Sequence, residues 1–170
     1  QPVVAMMRGS ASATLSAPGG VITQLLIDSP AFGPTITAGL NGKGLAPGNY
    51  LFGQFLRDVQ AVIDSGDPIN HIADATALHP IYLQKIVGDT VVPNSATDRL
   101  IAKGGFAKVT SGSANPVAPG SPKYVAFPFG THGSLFSPGP CAAITDAAIQ
   151  ANLRETTTRV LASLTPREER

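Results

Sequence analysis

Apolar and polar positions follow two different rhythms along this chain, and the change comes near residue 80. Before it the pattern is helical. Leu51, Phe52, Phe55, Leu56, Val59, Val62 and Ile63 recur at spacings of three and four, which predicts an amphipathic helix from Tyr50. Ser65-Gly66 ends it. Asp67 before Pro68 then predicts a new helix start through Ile69, Ile72 and Ala73, because an aspartate caps free N–H groups and proline suits the first helical position. Val21 to Ile27 predicts a short helix stopped by Asp28-Ser29-Pro30. Val3 to Met7 reads as a short buried strand. Gly9 to Gly20 is a Ser/Ala/Gly-rich stretch, and Gly33 to Gly48, with Pro34 and Pro47, reads as turns.

After residue 80 strands enter the pattern. Ile81 to Val87 is rich in branched and aromatic residues and predicts a strand, as does Tyr124 to Phe129, with Pro128 at an edge position or among its last residues. Between them a capping-box-like Ser95-Ala96-Thr97-Asp98 predicts a helix through Arg99-Leu100-Ile101-Ala102 that ends at Gly104-Gly105. Ser111 to Pro122 reads as a low-complexity loop. Beyond Pro138-Gly139-Pro140, a long amphipathic helix is marked by Ile144, Ala147, Ala148, Ala151, Val160, Leu161 and Leu164. Strand, loop, helix, strand, loop, helix predicts an α/β fold with parallel strands and flanking helices. Sites in such sheets lie outside the carboxyl ends of the strands. The helical stretch of about 20–75 falls between one strand and the next and reads as an insertion over the sheet edge, with the sheet and its helices over 80–165.

Composition narrows the setting. A chain of 170 residues holds one core, here expected as a single partial domain over 1–170. Only 14% of residues are charged and mean hydropathy is +0.15, against about 25% charged in an average soluble domain. That suits either a low-charge secreted protein or a fragment that buries a broad face against a second chain. The net charge of +1 and the lack of clustered Lys and Arg argue against nucleic acid as a partner. No apolar run reaches the roughly 18 residues that span a bilayer. The start at Gln1-Pro2-Val3, without Met or a basic leader, is expected of a processed or truncated product. Cys141 stands alone, so it is either free or bridged to another chain.

Two motifs carry the chemistry. Gly88-Asp89-Thr90-Val91-Val92-Pro93-Asn94 and Gly130-Thr131-His132-Gly133 each follow a predicted strand. Each puts an ionisable side chain where the strand gives way to a loop. A serine hydroxyl needs a histidine to take its proton, and that histidine needs a carboxylate to fix its tautomer. Asp89 followed by His132 matches the last two members of a Ser…Asp…His order, but Gly-x-Ser-x-Gly occurs nowhere in the chain. Ser10, Ser12 and Ser16 lack the elbow that exposes a nucleophile. Asp89 as a cap and His132 as an ordinary loop residue are the plain alternatives. His71 and His79 read as structural, since no metal-ligand spacing links them, and Asp64 and Asp67 read as caps. Cys141, near a helix start but with no strained elbow, reads as non-nucleophilic. Gly39-Leu40-Asn41-Gly42-Lys43-Gly44 lacks the spacing of a phosphate loop and reads as a surface loop.

These two loops, with Ala17-Pro18-Gly19-Gly20, Asp28-Ser29-Pro30-Ala31-Phe32-Gly33-Pro34 and Asp64-Ser65-Gly66-Asp67-Pro68-Ile69-Asn70, resemble the α/β-hydrolases, and among them the bacterial extracellular lipases of the virulence-factor type. The resemblance covers most of the chain and corresponds to the C-terminal half of such an enzyme. It implies Asp89 as catalytic acid and His132 as catalytic histidine. It implies a helical lid over an acyl pocket, for which about 20–75 is the candidate. It places the nucleophile elbow and the oxyanion-hole loop N-terminal to Gln1, on a separate chain.

The expectation is therefore the acid and base half of a secreted serine lipase or carboxylesterase, acting on lipid or other esters without metal or organic cofactor. Its partner would be an N-terminal hydrolase chain that carries the serine, and peripheral contact with lipid surfaces is an option. Phe32, Phe52, Phe55 and Leu56 are candidates for lining the acyl pocket, with core packing as the competing role for each. A non-catalytic structural or binding fragment, and acyl transfer to an alcohol, stand as alternatives.

Overall fold

A parallel sheet is at the centre of the molecule. The computed structural model describes residues 12–110, 117–135, 154, 156 and 157. Their elements are β1 (Ala13–Ser16), α1 (Ile22–Asp28), α2 (Gly33–Asn41), α3 (Tyr50–Ile63), α4 (Ile72–Leu78), β2 (Ile81–Ile86), α5 (Asn94–Lys103), β3 (Ala107–Lys108) and β4 (Lys123–Phe127), with short 3-10 turns at Asp64–Gly66 and Pro68–Asn70. The strands are ordered β1-β2-β4-β3, and every pairing is parallel. This is the α/β class expected from the alternation of elements.

β2 is buried on both faces, which is why its sequence reads as a nearly continuous apolar run. Ile81 and Leu83 face one way, joining Leu15 of β1, Ile72 of α4, and Leu100 and Phe106 from the α5 side in the main core. Tyr82 faces the other way and packs with Val125 and Phe127 of β4. Gln84 shares that face. Its Nε2 donates to Thr156 Oγ1 at 2.6 Å, so a helical residue from the C-terminal stretch lies over this side.

Several elements differ from the sequence pattern. Ala13–Ser16 is a strand within the Ser/Ala/Gly-rich stretch. Four residues, of which only Thr14 is a strong strand former, give little signal, and pairing with Ile81–Gln84 makes the strand. Gly33–Asn41 is a helix, not turns. Pro34 sits in its first turn, where a missing N–H costs nothing. Gly39–Asn41 therefore belongs to that helix and not to a surface loop. Gly33 is required there, since a Cβ would come 2.2 Å from the Ile27 carbonyl oxygen. α5 begins at Asn94 with Pro93 before it, and no side chain caps it. Ser95 does not form a capping box, because Asp98 pairs with Lys85 Nζ at 2.6 Å instead of reaching back. β3 was not legible, and β4 stops at Phe127 so that Pro128 and Phe129 fall just beyond it. The strand expected at Val3–Met7 lies outside the described residues. So does the C-terminal helix, apart from Arg154, Thr156 and Thr157, which are helical.

The helices between β1 and β2 are fastened by one carboxylate. Asp67 is fully buried. Its Oδ1 accepts from Val21 N at 3.0 Å and Ile69 N at 3.0 Å; its Oδ2 accepts from Ile22 N at 2.8 Å and Gln60 Nε2 at 2.7 Å. The expected cap is there, and it joins α1, α3 and the Pro68–Asn70 turn as well. Burial works to raise the carboxyl's proton affinity, but the Ile69 and Ile22 N–H groups, the Gln60 amide and the Val21 N–H outweigh it and hold Asp67 below the usual aspartate range. Val21 sits at φ +58°, an outlier for a β-branched residue, and the Asp67 bonds help to hold it there.

Candidate active site

β2 and β4 are neighbours and run in the same direction, so their carboxyl ends open side by side. Val87 N donates to the Phe127 carbonyl at 2.9 Å and carries the pairing one residue further. The chain then turns at Gly88, where φ is +79°. Asn94 braces this turn from both sides: its Oδ1 accepts from Gly88 N at 2.9 Å, and its Nδ2 donates to the Ile86 carbonyl at 2.6 Å. Asp89 is thereby directed inward. Its Oδ1 accepts from Val91 N at 2.8 Å and Val92 N at 3.2 Å, a local turn in which two N–H groups fix one carboxylate oxygen.

The loop after β4 is closed by a serine. Ser134 Oγ accepts from Thr131 N at 2.6 Å, and Ser134 N donates to the Thr131 carbonyl at 2.9 Å. Gly130 enters this turn at φ +133°, and a Cβ there would meet Ser134 Oγ at 3.1 Å. His132 is carried on the turn between them.

The two loops meet. His132 Nδ1 lies 2.9 Å from Asp89 Oδ2, with the Asp89 side chain 1% exposed and that of His132 38% exposed. Asp89, as a carboxylate, can only accept, so the neutral ring donates from Nδ1 and leaves Nε2 as a lone pair. That is the tautomer a general base requires. Once protonated, the imidazolium is paired with a buried anion. Among the described residues, no serine hydroxyl hydrogen-bonds the ring. Ser134 is turned to the Thr131 backbone, and Ser16 Oγ, at the end of β1, is buried with no partner among the described residues.

The other candidates fall elsewhere. Phe52 lies on the buried side of α3, Leu56 is half-buried, and Phe32 and Phe55 are exposed. An open cleft of about 540 Å³ runs along α2 between Asp28, Ser29, Pro34, Thr37, Asn41 and Pro47; none of the four apolar candidates lines it. Asp64 Oδ1 accepts from Gln60 Nε2 at 2.8 Å, and His71 Nε2 lies 2.9 Å from the Ser65 carbonyl, both inside the helical layer. His79 follows α4 at the far end of β2. Among the described residues, no group of three or more His, Cys, Asp or Glu side chains is gathered as a metal site would need. Ser10 and Cys141 lie outside the described residues.

Three residues bonded to these loops were not singled out from the sequence: Asn94, Ser134 and Ser29, whose Oγ donates to the Val91 carbonyl at 2.6 Å. Asn94 and Ser134 had a signal, since each stands within a few residues of its motif with a side chain able to bond nearby backbone. Ser29 had only the look of a helix stop. No protein-family model matches the chain, and no solved structure gives a significant match to it.

Proposed function

We propose that Asp89 and His132 are the acid and base of a serine ester hydrolase whose nucleophile comes from outside residues 1–170. The observation that carries this reading is the 2.9 Å bond between a buried carboxylate and a half-exposed imidazole, at the carboxyl ends of adjacent parallel strands. A structural pair has no need of an imidazole left half-exposed beside its buried carboxylate. A general base does, because the substrate and the nucleophile must reach it.

In the reaction His132 Nε2 takes the proton of the serine hydroxyl as the oxygen attacks the ester carbonyl. Asp89 keeps Nδ1 as the donor and stabilises the imidazolium. The proton then passes from Nε2 to the departing alcohol. Water then attacks the acyl-serine ester as the same nitrogen takes its proton, and that proton passes to the serine oxygen as the acyl–serine bond breaks and the acid leaves. Backbone donors for the oxyanion would come largely from the nucleophile's own segment. The α1–α4 layer is the candidate lid, and Phe32 and Phe55, exposed on it, are candidates for meeting acyl chains. The family resemblance favours lipid esters as substrates, an extracellular setting and an α/β-hydrolase fold for the complete assembly. The test is hydrolysis of short- and long-chain p-nitrophenyl esters by the intact protein. Turnover should vanish in His132→Ala; a variant that retains it sinks this role.

A further inference from the structure

The carboxylate of Asp89 is held by two peptide N–H groups, and both of those peptides are hooked from behind. The Val91 N–H that reaches Asp89 Oδ1 belongs to the peptide whose carbonyl is Thr90's; that carbonyl accepts from Ala31 N at 2.9 Å. The Val92 N–H belongs to the peptide whose carbonyl is Val91's; that carbonyl accepts from Ser29 Oγ at 2.6 Å. Ser29 is 1% exposed, and its Oγ also accepts from Phe32 N at 3.3 Å. Hydrogen bonds in series through a peptide polarise one another, so a donor at each carbonyl strengthens the N–H on the other side.

We infer that Ser29-Pro30-Ala31 is a positioning clamp for the acid, tying the α1–α2 junction to the Asp89–His132 pair. This rests on the reading of that pair as acid and base. The clamp spans 61 and 62 residues of sequence, from Ser29 to Thr90 and Val91, so it serves the global arrangement and not a local turn. Pro30, between the two donors, stiffens the segment by fixing its own φ. The helical layer cannot leave the sheet at this point without releasing both peptides. A change in the α1–α2 layer would therefore reach His132 through the orientation of Asp89, with neither Ser29 nor Ala31 touching the reacting atoms.

The intact protein with labelled histidine tests this by NMR of the hydrogen-bonded His132 Nδ1–H, assigned by its loss in His132→Ala, together with ester turnover. Ser29→Ala should move that resonance toward the free-imidazole position and lower kcat by about tenfold at a KM changed less than about twofold, as the loss of one buried hydrogen bond implies. Ser29→Thr keeps the hydroxyl and should restore both. If Ser29→Ala does not fold by circular dichroism, Ser29→Cys, which keeps the shape and weakens the donor, carries the same prediction. Asp89→Asn is the reference. If it alters the resonance while folded Ser29 variants leave resonance and kcat at wild-type values, the clamp is overturned and the pair survives. If Asp89→Asn leaves the resonance unchanged, the pair itself is absent, and the clamp falls with it.

Discussion

Asp67 and Asp89 are both buried, and their surroundings differ in where the hydrogen bonds end. Asp67 sits in the helical layer and takes donors only from the interior: Val21, Ile22 and Ile69 N–H and the Gln60 amide. The Gln60 amide runs on to exposed Asp64 Oδ1, and none of the four donors is an ionisable group. Asp89, at the end of β2, spends Oδ1 on two backbone N–H groups but gives Oδ2 to His132, an imidazole open to solvent. Burying a carboxylate demands several donors in both places. What separates a fastening from a candidate catalytic acid is that one of those donors can titrate and face a reactant.

Breaking each network separately makes the comparison testable. The largest effect is expected for His132→Ala, which should cut ester turnover per folded molecule by about 10⁶-fold and, by leaving buried Asp89 Oδ2 without its donor, cost about 1–3 kcal/mol in stability. Asp89→Asn keeps the shape but donates to the ring from the wrong side, and should cost about 10⁴-fold in kcat. Asp67→Asn should do the reverse. Opposing an amide to four donors should lower the unfolding free energy by about 2–3 kcal/mol, read by denaturant titration, with kcat per folded molecule unchanged.

The pH dependence separates the two aspartates further. Asp67 is held below its ordinary value, so its contribution to stability is complete above the unfolded aspartate range near about pH 4 and is lost as pH falls through the depressed folded value. The wild type should lose stability over that acid window. Asp67→Asn should start lower at neutral pH and fall less steeply through it. The smallest effect is expected at Gly130→Ala. The φ of +133° disfavours any L side chain, and the new methyl would press on Ser134 Oγ. The cost should be about 1–2 kcal/mol in stability, with a several-fold loss of kcat as His132 shifts on its turn.

The two loops were legible because each feature that makes them is local. A branched or aromatic run gives the strand, a glycine at positive φ gives the turn, and the ionisable residue follows at once. α3 was legible for the same reason, through a stripe at helical spacing, and so was Asp67 as a cap beside Pro68. What could not be read depended on distant partners. Ala13–Ser16 becomes a strand only by lying along β2, and Gly33–Asn41 becomes a helix although Gly and Pro argue for turns. The Asp67 cap was visible toward Ile69, two residues away, but not toward Val21 and Ile22. Ser29 shows the limit most clearly. Its sequence context says only that a helix stops, while its hydroxyl reaches the loop that carries the acid.

The claim that Asp89 and His132 serve a serine nucleophile is tested most directly by fluorophosphonate labelling of the intact protein, followed by mass mapping of the label. The prediction is a single labelled serine outside residues 1–170, with labelling that vanishes in His132→Ala and is restored by nothing short of the histidine. Labelling that persists at the wild-type rate in folded His132→Ala, or an ester-cleaving preparation that takes up no label at all, contradicts the account.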